Sequence, residues 1–137
     1  TTEAPTTEAP VTEAPTSDLG QQIANFACQF VGNPYVWGGT SLTNGADCSG
    51  FVQSVYKNFG YSLPRTCTPQ SNAGTAVSLA ALAPGDLVFY DHGTGSCEHV
   101  GIYIGNGQIV HASSSRTGIK ISNVNYSTPF KACRIVN

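Results

Sequence analysis

Two shortages in this sequence of 137 residues exclude whole classes of protein. No apolar run approaches the roughly 18 residues that a membrane-spanning helix needs, so we predict no membrane span. Charged residues make up only 10% of the chain, and from Leu19 onward six basic residues stand against four acidic ones. This small excess does not predict a nucleic-acid partner. The length predicts a single modest domain.

A low-complexity segment precedes that domain. Residues 1–15 read TTEAP, TTEAP and VTEAP, which are three copies of a repeat with almost no apolar side chain to bury. The regular prolines predict an extended, solvated linker over residues 1–16, followed by one folded domain over residues 17–137. The repeat and the number of cysteines favour a secreted or cell-surface protein.

The periodicity of the apolar residues changes along the domain. In the first half it is helical: Ser17 or Asp18 can cap a helix that ends before Gly32, and a second helix is expected to begin at Asp47 or Cys48. The second half contains five short segments rich in β-branched and aromatic residues: DLVFY, HVGIYIG, GQIVHA, GIKIS and KACRIV. Helices followed by strands predict an α+β fold, with N-terminal helices packed on one antiparallel sheet of about five strands.

Five cysteines are present, and none belongs to a CxxC pair of the kind found in zinc ribbons and thioredoxins. Cys48, in the string GADCSGFV, falls at the predicted start of the second helix. Unpaired backbone N–H groups and the helix dipole stabilise an anion there, so we expect a lowered thiol pKa and a reactive thiolate at Cys48. Gly50 removes a side chain beside the sulfur, which leaves room for a substrate.

A nucleophilic cysteine needs a base, and the base needs a residue that orients it. The sequence has three histidines, of which His92 lies in a loop that we expect to be solvated. His99 and His111 lie on two predicted strands joined around Gly105–Gly107. A three-residue loop there places both imidazoles on one face of the hairpin, with Gly101 between them, whereas a two-residue loop would point them to opposite faces.

Together these residues predict nucleophilic attack on a carbonyl group. His99 takes the thiol proton of Cys48, the sulfur attacks the carbonyl carbon, and His99 later protonates the leaving amine. His111 holds the His99 ring in the required orientation and tautomer. The backbone N–H of Cys48 and the hydroxyl of Tyr35 are candidate donors to the oxyanion. We expect neither a cofactor nor a metal.

A set of strings, in this order, resembles the NlpC/p60 family of cell-wall cysteine peptidases: NPYVWGGTS, GADCSGFVQSVY, LPRT, APGDLVFY and HVGIYIGNGQIVHA. The resemblance covers nearly everything from Leu19 to the end, and the combination is far more specific than any one string. It implies a papain-like core. It also implies hydrolysis of peptidoglycan stem peptides by a monomer, at the bond between γ-D-glutamate and diaminopimelate or lysine.

The resemblance also implies roles for particular residues. Cys48 matches the nucleophile, His99 the base and His111 the orienting residue. Four further residues match positions that bind the oxyanion or the substrate: Tyr35, Asp47, Ser49 and Arg65. For Arg65, a bidentate contact with a stem-peptide carboxylate and a structural salt bridge both remain open.

The number of cysteines departs from what the resemblance implies. Our hypothesis is that Cys67 and Cys97, both in predicted loops near the site, form one disulfide. Cys28 and Cys133 would form the other and join the first helix to the last strand. Four cysteines allow three pairings, and a buried free thiol at Cys28 is an alternative.

Three other functions remain open at this point. Cys48, His99 and His111 are a possible CysHis₂ zinc site with one open position. The domain is alternatively a non-hydrolytic module that binds cell-wall peptides. It is otherwise an amidase or acyltransferase that shares the same fold.

Overall fold

The computed structural model describes residues 18–136. The linker predicted over residues 1–16 and the candidate cap Ser17 lie outside that range. Within it, no helix is both long enough and apolar enough to cross a bilayer.

Three helices occupy the first half of the described chain: α1 (Asp18–Cys28), α2 (Cys48–Lys57) and α3 (Cys67–Ser71). The prediction that α2 begins at Cys48 is confirmed, with Asp47 as its N-cap. Helix α1 ends earlier than the apolar pattern predicts, because residues 29–31 form turns and the Val31 side chain is 44% exposed. The chain then reverses at Gly32, which has a φ of +98° and donates its amide to the carbonyl of Ile119.

The second half forms the sheet. A short ribbon of β1 (Thr40–Ser41) and β2 (Gly45–Ala46) precedes a six-stranded antiparallel sheet in the order β3-β8-β4-β5-β6-β7. All five predicted strands are present, and β3 is an additional two-residue edge strand. The strands of this sheet are β3 (Thr75–Ala76), β4 (Leu87–Tyr90), β5 (His99–Gly105), β6 (Gln108–Ser114), β7 (Gly118–Asn123) and β8 (Pro129–Arg134).

Helices α1 and α2 pack on β5 and β6, so the predicted α+β arrangement is confirmed. Their contact is lined by aliphatic and aromatic side chains without solvent exposure, among them Ile23, Phe51, Val55, Val100 and Ile102. Burying each such side chain contributes about 1.5–3 kcal/mol. The opposite face of the sheet carries a smaller apolar cluster that includes Tyr90, Tyr103 and Ile109. Both faces of β5 are therefore covered, which holds this strand rigidly.

The β5–β6 hairpin reaches the predicted register by a different route. Gly105 pairs with Gln108 across a two-residue turn, whose residues Asn106 and Gly107 have φ values of 55° and 74°. The predicted three-residue loop is therefore wrong. A bulge between Tyr103 and Gly105 supplies the extra residue, so that Ile102 pairs with Val110. In that register the odd-numbered residues of both strands share one face.

One of the two proposed disulfides is present. Cys67 and Cys97 are bonded, which joins α3 to the segment before β5. Cys28 and Cys133 are both free thiols, so the second predicted bond is wrong. Helix α1, which ends at Cys28, lies over β5 and β6. Cys133 is on β8, which β4 separates from β5, so the two cysteines belong to different parts of the fold. The Cys133 thiol instead donates to the carbonyl of Gln70.

A buried ion pair ties β8 to the turn before β4. Asp86 is 1% exposed and accepts from Nε and Nη2 of Arg134, each at 2.8 Å. It also accepts from the amide of Ala83 at 2.8 Å. Because its oxygens have three donors, the buried carboxylate is well compensated.

Candidate active site

Cys48 is the first residue of α2, and the residues around it explain why the helix begins there. Oδ1 of Asp47 accepts from the amide of Gly50 at 2.8 Å, which caps the helix. Gly50 is required for close packing, since a Cβ there would collide with the carbonyl oxygen of Gly39. The space beside Gly50 is therefore filled by the neighbouring loop. The sequence had suggested instead that this space admits a substrate.

The two hairpin histidines are in direct contact. Nε2 of His99 lies 2.6 Å from Nδ1 of His111, and Nε2 of His111 lies 2.8 Å from Oγ of Ser122. Both histidines are buried. A Cβ on Gly101 would lie 2.7 Å from Cδ1 of Ile109 and 3.3 Å from Cβ of His111, so this glycine leaves space for the imidazole pair. His99, His111 and Ser122 therefore form a connected row of three polar side chains.

Six of the seven residues predicted from the sequence line one groove of about 710 Å³. They are Tyr35, Asp47, Cys48, Ser49, Arg65 and His99, whereas His111 lies behind His99. The groove is also lined by the Cys67–Cys97 disulfide, by Trp37, which is 86% exposed, and by His92 and Glu98. The fold thus brings the nucleophile candidate and the base candidate to one cleft.

Arg65 bridges the residues on either side of Cys48. Its Nη1 donates to Oγ of Ser49 at 2.9 Å, and its Nη2 donates to Oδ2 of Asp47 at 3.1 Å. Oδ2 of Asp47 also accepts from the amide of Gly38 at 3.0 Å. The structural salt bridge that the sequence left open is therefore present. It fixes the loop at Gly38 and the start of α2 relative to each other.

The carboxyl group of Asp47 is ionised by its neighbours. Burial alone would raise its pKa. The hydrogen bonds from Arg65 and from the amides of Gly50 and Gly38 outweigh burial, and the pKa of Asp47 is lowered. This charge in turn contributes to raising the pKa of the Tyr35 hydroxyl, after burial and the neighbouring Cys48. Tyr35 is therefore a neutral hydroxyl donor at the groove.

The sulfur of Cys48 is neutral at rest, contrary to the prediction of a lowered pKa. Burial raises the thiol pKa most, and the Asp47 carboxylate adds to this effect. The amides of Val100, Ser49 and Cys48 itself oppose the rise but do not outweigh it. Helix-terminal amides are thus present as expected, but the helix start is too buried for them to ionise the thiol alone.

The imidazoles are also neutral. Burial first, then the neighbouring His111 and His92, lower the pKa of His99 to about 3. Burial first, then Lys120 and His92, lower the pKa of His111 to about 4. At rest the groove therefore contains a neutral thiol and a neutral imidazole, and the imidazole has a free nitrogen lone pair that can accept a proton.

Three residues of the site were missed by the sequence reasoning. His92 is exposed, as predicted, but its ring stacks on His99 with centroids 5.8 Å apart, and its Nε2 lies 3.1 Å from Oη of Tyr126. The Tyr126 ring lies 5.2 Å from that of His111, and burial, followed by Cys48, raises its pKa to about 12. Ser122 contacts His111. The pairing of β6 with β7 could have indicated Ser122, because it places Ser122 diagonally beside His111. No sequence pattern indicates Tyr126.

Among residues 18–136, no group of three or more His, Cys, Asp and Glu side chains is arranged to hold a metal ion.

This chain is similar to a known protein family and to characterised relatives. The model of the NlpC/P60 family matches residues 32–136. The chain is 42% identical over 105 residues to a γ-D-glutamyl-L-lysine dipeptidyl-peptidase of Bacillus cereus, covering 75% of this chain and 31% of that protein. It is 47% identical over 111 residues to a γ-DL-glutamyl hydrolase of Bacillus subtilis, covering 80% and 26%. The chain thus spans less than a third of the length of these relatives.

A solved structure agrees in fold and sequence. The NlpC/p60 domain of the peptidoglycan hydrolase SagA superposes with a TM-score of 0.77 at 36% identity, covering 85% of this chain and 98% of that domain. The match of the family model extends over well more than half of the chain, through both Cys48 and the two histidines. The chain belongs to the NlpC/P60 family.

Proposed function

We propose that this chain is a cysteine peptidase that hydrolyses peptidoglycan stem peptides between γ-D-glutamate and a following lysine or diaminopimelate. The observation that carries this proposal is the shared placement of Cys48, His99 and His111. Cys48 and His99 line one groove, and Nε2 of His99 lies 2.6 Å from Nδ1 of His111. A thiol, a base and an orienting group are the minimum that nucleophilic acyl transfer requires.

The hydrogen bonds support one tautomer for each histidine. Because Nε2 of His99 contacts His111, Nδ1 is the nitrogen of His99 that accepts the thiol proton. His99 then carries its own proton on Nε2, and this N–H donates a hydrogen bond to Nδ1 of His111. His111 is protonated on Nε2 and donates to Oγ of Ser122, 2.8 Å away. This sequence of donors fixes the His99 ring for proton transfer.

The reaction begins from the neutral pair. As the sulfur of Cys48 attacks the carbonyl carbon, its proton moves to Nδ1 of His99, and the carbonyl oxygen becomes an oxyanion. The backbone N–H of Cys48 and the hydroxyl of Tyr35 donate to that oxygen. When the C–N bond breaks, His99 gives the proton to the leaving amine, and a thioester remains on Cys48. Water then attacks the thioester with His99 as base, which releases the acid and restores the thiol.

Hydrogen-bond donors for the charged sulfur are already in place. The amides of Val100, Ser49 and Cys48 are already directed at the sulfur and stabilise the negative charge that forms on it. A buried imidazole with a low pKa is not protonated by solvent near neutral pH, so His99 remains available as a base. The imidazolium that forms during attack gives up its proton readily to the leaving amine.

The substrate class is supported by the names of the relatives. The Bacillus cereus relative is named for the γ-D-glutamyl-L-lysine bond, and the Bacillus subtilis relative for a γ-glutamyl bond. The structural neighbour SagA is a peptidoglycan hydrolase. We further propose a monomer that acts outside the cell or at its surface, with residues 1–16 as an extended linker to the catalytic domain.

Digestion of a defined stem peptide tests this function. The tetrapeptide L-Ala-γ-D-Glu-L-Lys-D-Ala and its diaminopimelate counterpart are incubated with the protein, with Cys48→Ala as control, and the products are identified by mass spectrometry. We expect L-Ala-γ-D-Glu and the remaining dipeptide, and neither product from the variant.

Other results would favour the alternatives. Release of intact stem peptides from muropeptides would indicate an amidase. Binding without cleavage would indicate a non-hydrolytic module. Loss of activity on treatment with a chelator would favour the zinc site.

A further inference from the structure

The charges that line the groove do not balance along its length. Asp47 and Arg65 neutralise each other through the ion pair at 3.1 Å. Glu98 also lines the groove and is exposed, and across residues 18–136 it makes no ion pair. The groove therefore contains one paired acidic side chain, Asp47, and one carboxylate, Glu98, that makes no ion pair within residues 18–136.

Glu98 directly precedes His99 in the chain, and both residues line the groove. In the proposed reaction His99 must reach the leaving amine in order to protonate it. We therefore expect the fragment that carries this amine to bind near His99 and Glu98. Tyr35 and Arg65 line the groove from other segments, Tyr35 from the loop between α1 and β1 and Arg65 from the loop before α3.

The segment around Glu98 is held in place on both sides. The amide of Glu98 donates to the carbonyl of Tyr90 at 2.8 Å, and the preceding residue, Cys97, is bonded to Cys67. The position of the carboxylate is thus set by its backbone, while its side chain remains accessible. A fixed, accessible and uncompensated carboxylate favours a cationic group of the substrate.

We propose that Glu98 binds the side-chain ammonium of the diamino acid that follows the cleaved γ-glutamyl bond. This inference rests on the proposed function, because it concerns the residue on the leaving side of the same bond. Cross-linking of the stem converts the ammonium into an amide, which has no charge and attaches a further chain. Glu98 therefore makes the enzyme selective for stems whose third residue still has a free side-chain amine.

A pair of substrates isolates this charge. The peptide L-Ala-γ-D-Glu-L-Lys is compared with the same peptide acetylated on Nε of lysine, and kcat/KM is measured for both. The parent protein is expected to prefer the free amine, and Glu98→Gln is expected to lower that preference roughly five-fold. Raising the salt concentration lowers the preference of the parent but has less effect on the variant.

Asp91→Asn is the matched control. It removes the same charge from the same loop, Asp91 does not line the groove, and an asparagine oxygen can still accept from the amide of Gly93. This variant is expected to keep the preference of the parent. An unchanged preference in Glu98→Gln, or an equal loss in Asp91→Asn, would overturn the inference. If the parent cleaves neither peptide, the proposed function itself fails, which is a distinct result.

Discussion

Two regions of this protein each contain a cysteine, an aspartate and an arginine, but the two sets of residues are arranged differently. The groove set consists of Cys48, Asp47 and Arg65, and the anchor set consists of Cys133, Asp86 and Arg134. In the anchor set the carboxylate is 1% exposed and accepts only from groups that join β8 to the β4 turn. In the groove set the carboxylate caps the helix that carries Cys48.

The difference lies in what each ion pair holds. Asp86 joins two backbone segments, so its energy contributes to the fold. Asp47 and Arg65 hold Ser49, Gly38 and the first turn of α2 around a sulfur that lines the cleft. The thiol pKa is raised by burial in both sets, to about 11 for Cys133. Only Cys48 has an imidazole in the same groove that can take its proton. The same residue types therefore form a structural ion pair in one region and line the proposed catalytic groove in the other.

The largest contrast is expected between the two sulfurs. Cys48→Ala should lower kcat/KM by at least about 10⁴-fold, because no other group can form the acyl intermediate. Cys133→Ala removes the same atom from the anchor set and should leave kcat/KM unaffected, with a loss of unfolding free energy of about 1 kcal/mol. Peptide hydrolysis and thermal unfolding of both variants measure this contrast. Equal losses of activity would remove the distinction between the two sets.

The next effect is expected in the anchor set. Asp86→Asn leaves the Arg134 guanidinium without its counter-charge in a largely buried site. The free energy of unfolding should therefore fall by about 2–3 kcal/mol. The activity of the folded fraction should not change, because neither residue lines the groove. Urea titration, with kcat/KM measured at low denaturant, tests both statements. A loss of activity without a loss of stability would contradict them.

A third effect is a pH dependence of the unfolding free energy, which is expected from the histidines near the groove set and not from the anchor set. His99 and His111 have pKa values of about 3 and about 4, below the ordinary value of 6.5. Between these lowered values and pH 6.5, the unfolded chain therefore binds more protons than the folded chain does. Stability should therefore fall as the pH is lowered from 6.5 towards 5, by about 2 kcal/mol per pH unit when both histidines contribute. His111→Gln should have a shallower dependence in thermal melts over this range. An identical slope would show that the buried imidazoles are not its source.

The smallest effect is expected from Asp47→Asn, which is the counterpart of Asp86→Asn in the groove set. Asparagine still caps a helix, and Arg65 is partly solvated, so the loss of unfolding free energy should stay below about 1 kcal/mol. The loss of the charge frees Arg65 and should lower kcat/KM roughly ten-fold, which corresponds to about 1.4 kcal/mol. Asp91→Asn is a control with the same chemical change. A stability loss as large as in Asp86→Asn would show that both pairs are structural.

Much of the fold could be predicted from the sequence because its signals are local. The start of α2 at Cys48 and the five strands follow from capping residues and from the period of the apolar residues. The two-residue strand β3 has no such signal, since it is too short for alternation to be visible. The bulge before Gly105 was also missed, because an Asn-Gly turn and a three-residue loop fit the same string.

The missed features of the site depend on contacts between distant segments. The free state of Cys28 and Cys133 is decided by which strands α1 covers, and the sequence does not specify this. The raised pKa of Cys48 has a similar origin, because helix amides can be predicted from the sequence but the depth of burial cannot. Tyr126 reaches the histidines only through the path of the β7–β8 loop.

The bulge in the β5–β6 hairpin has a consequence for how such a sequence can vary. Side chains alternate between the faces of a strand, so a one-residue insertion or deletion between His99 and His111 would move one imidazole to the other face. The hairpin can change length only by an even number of residues, or by gaining or losing a bulge at the same time. In related sequences, an odd or even number of residues between the two histidines therefore indicates whether both imidazoles can share one face, even where every catalytic side chain is present.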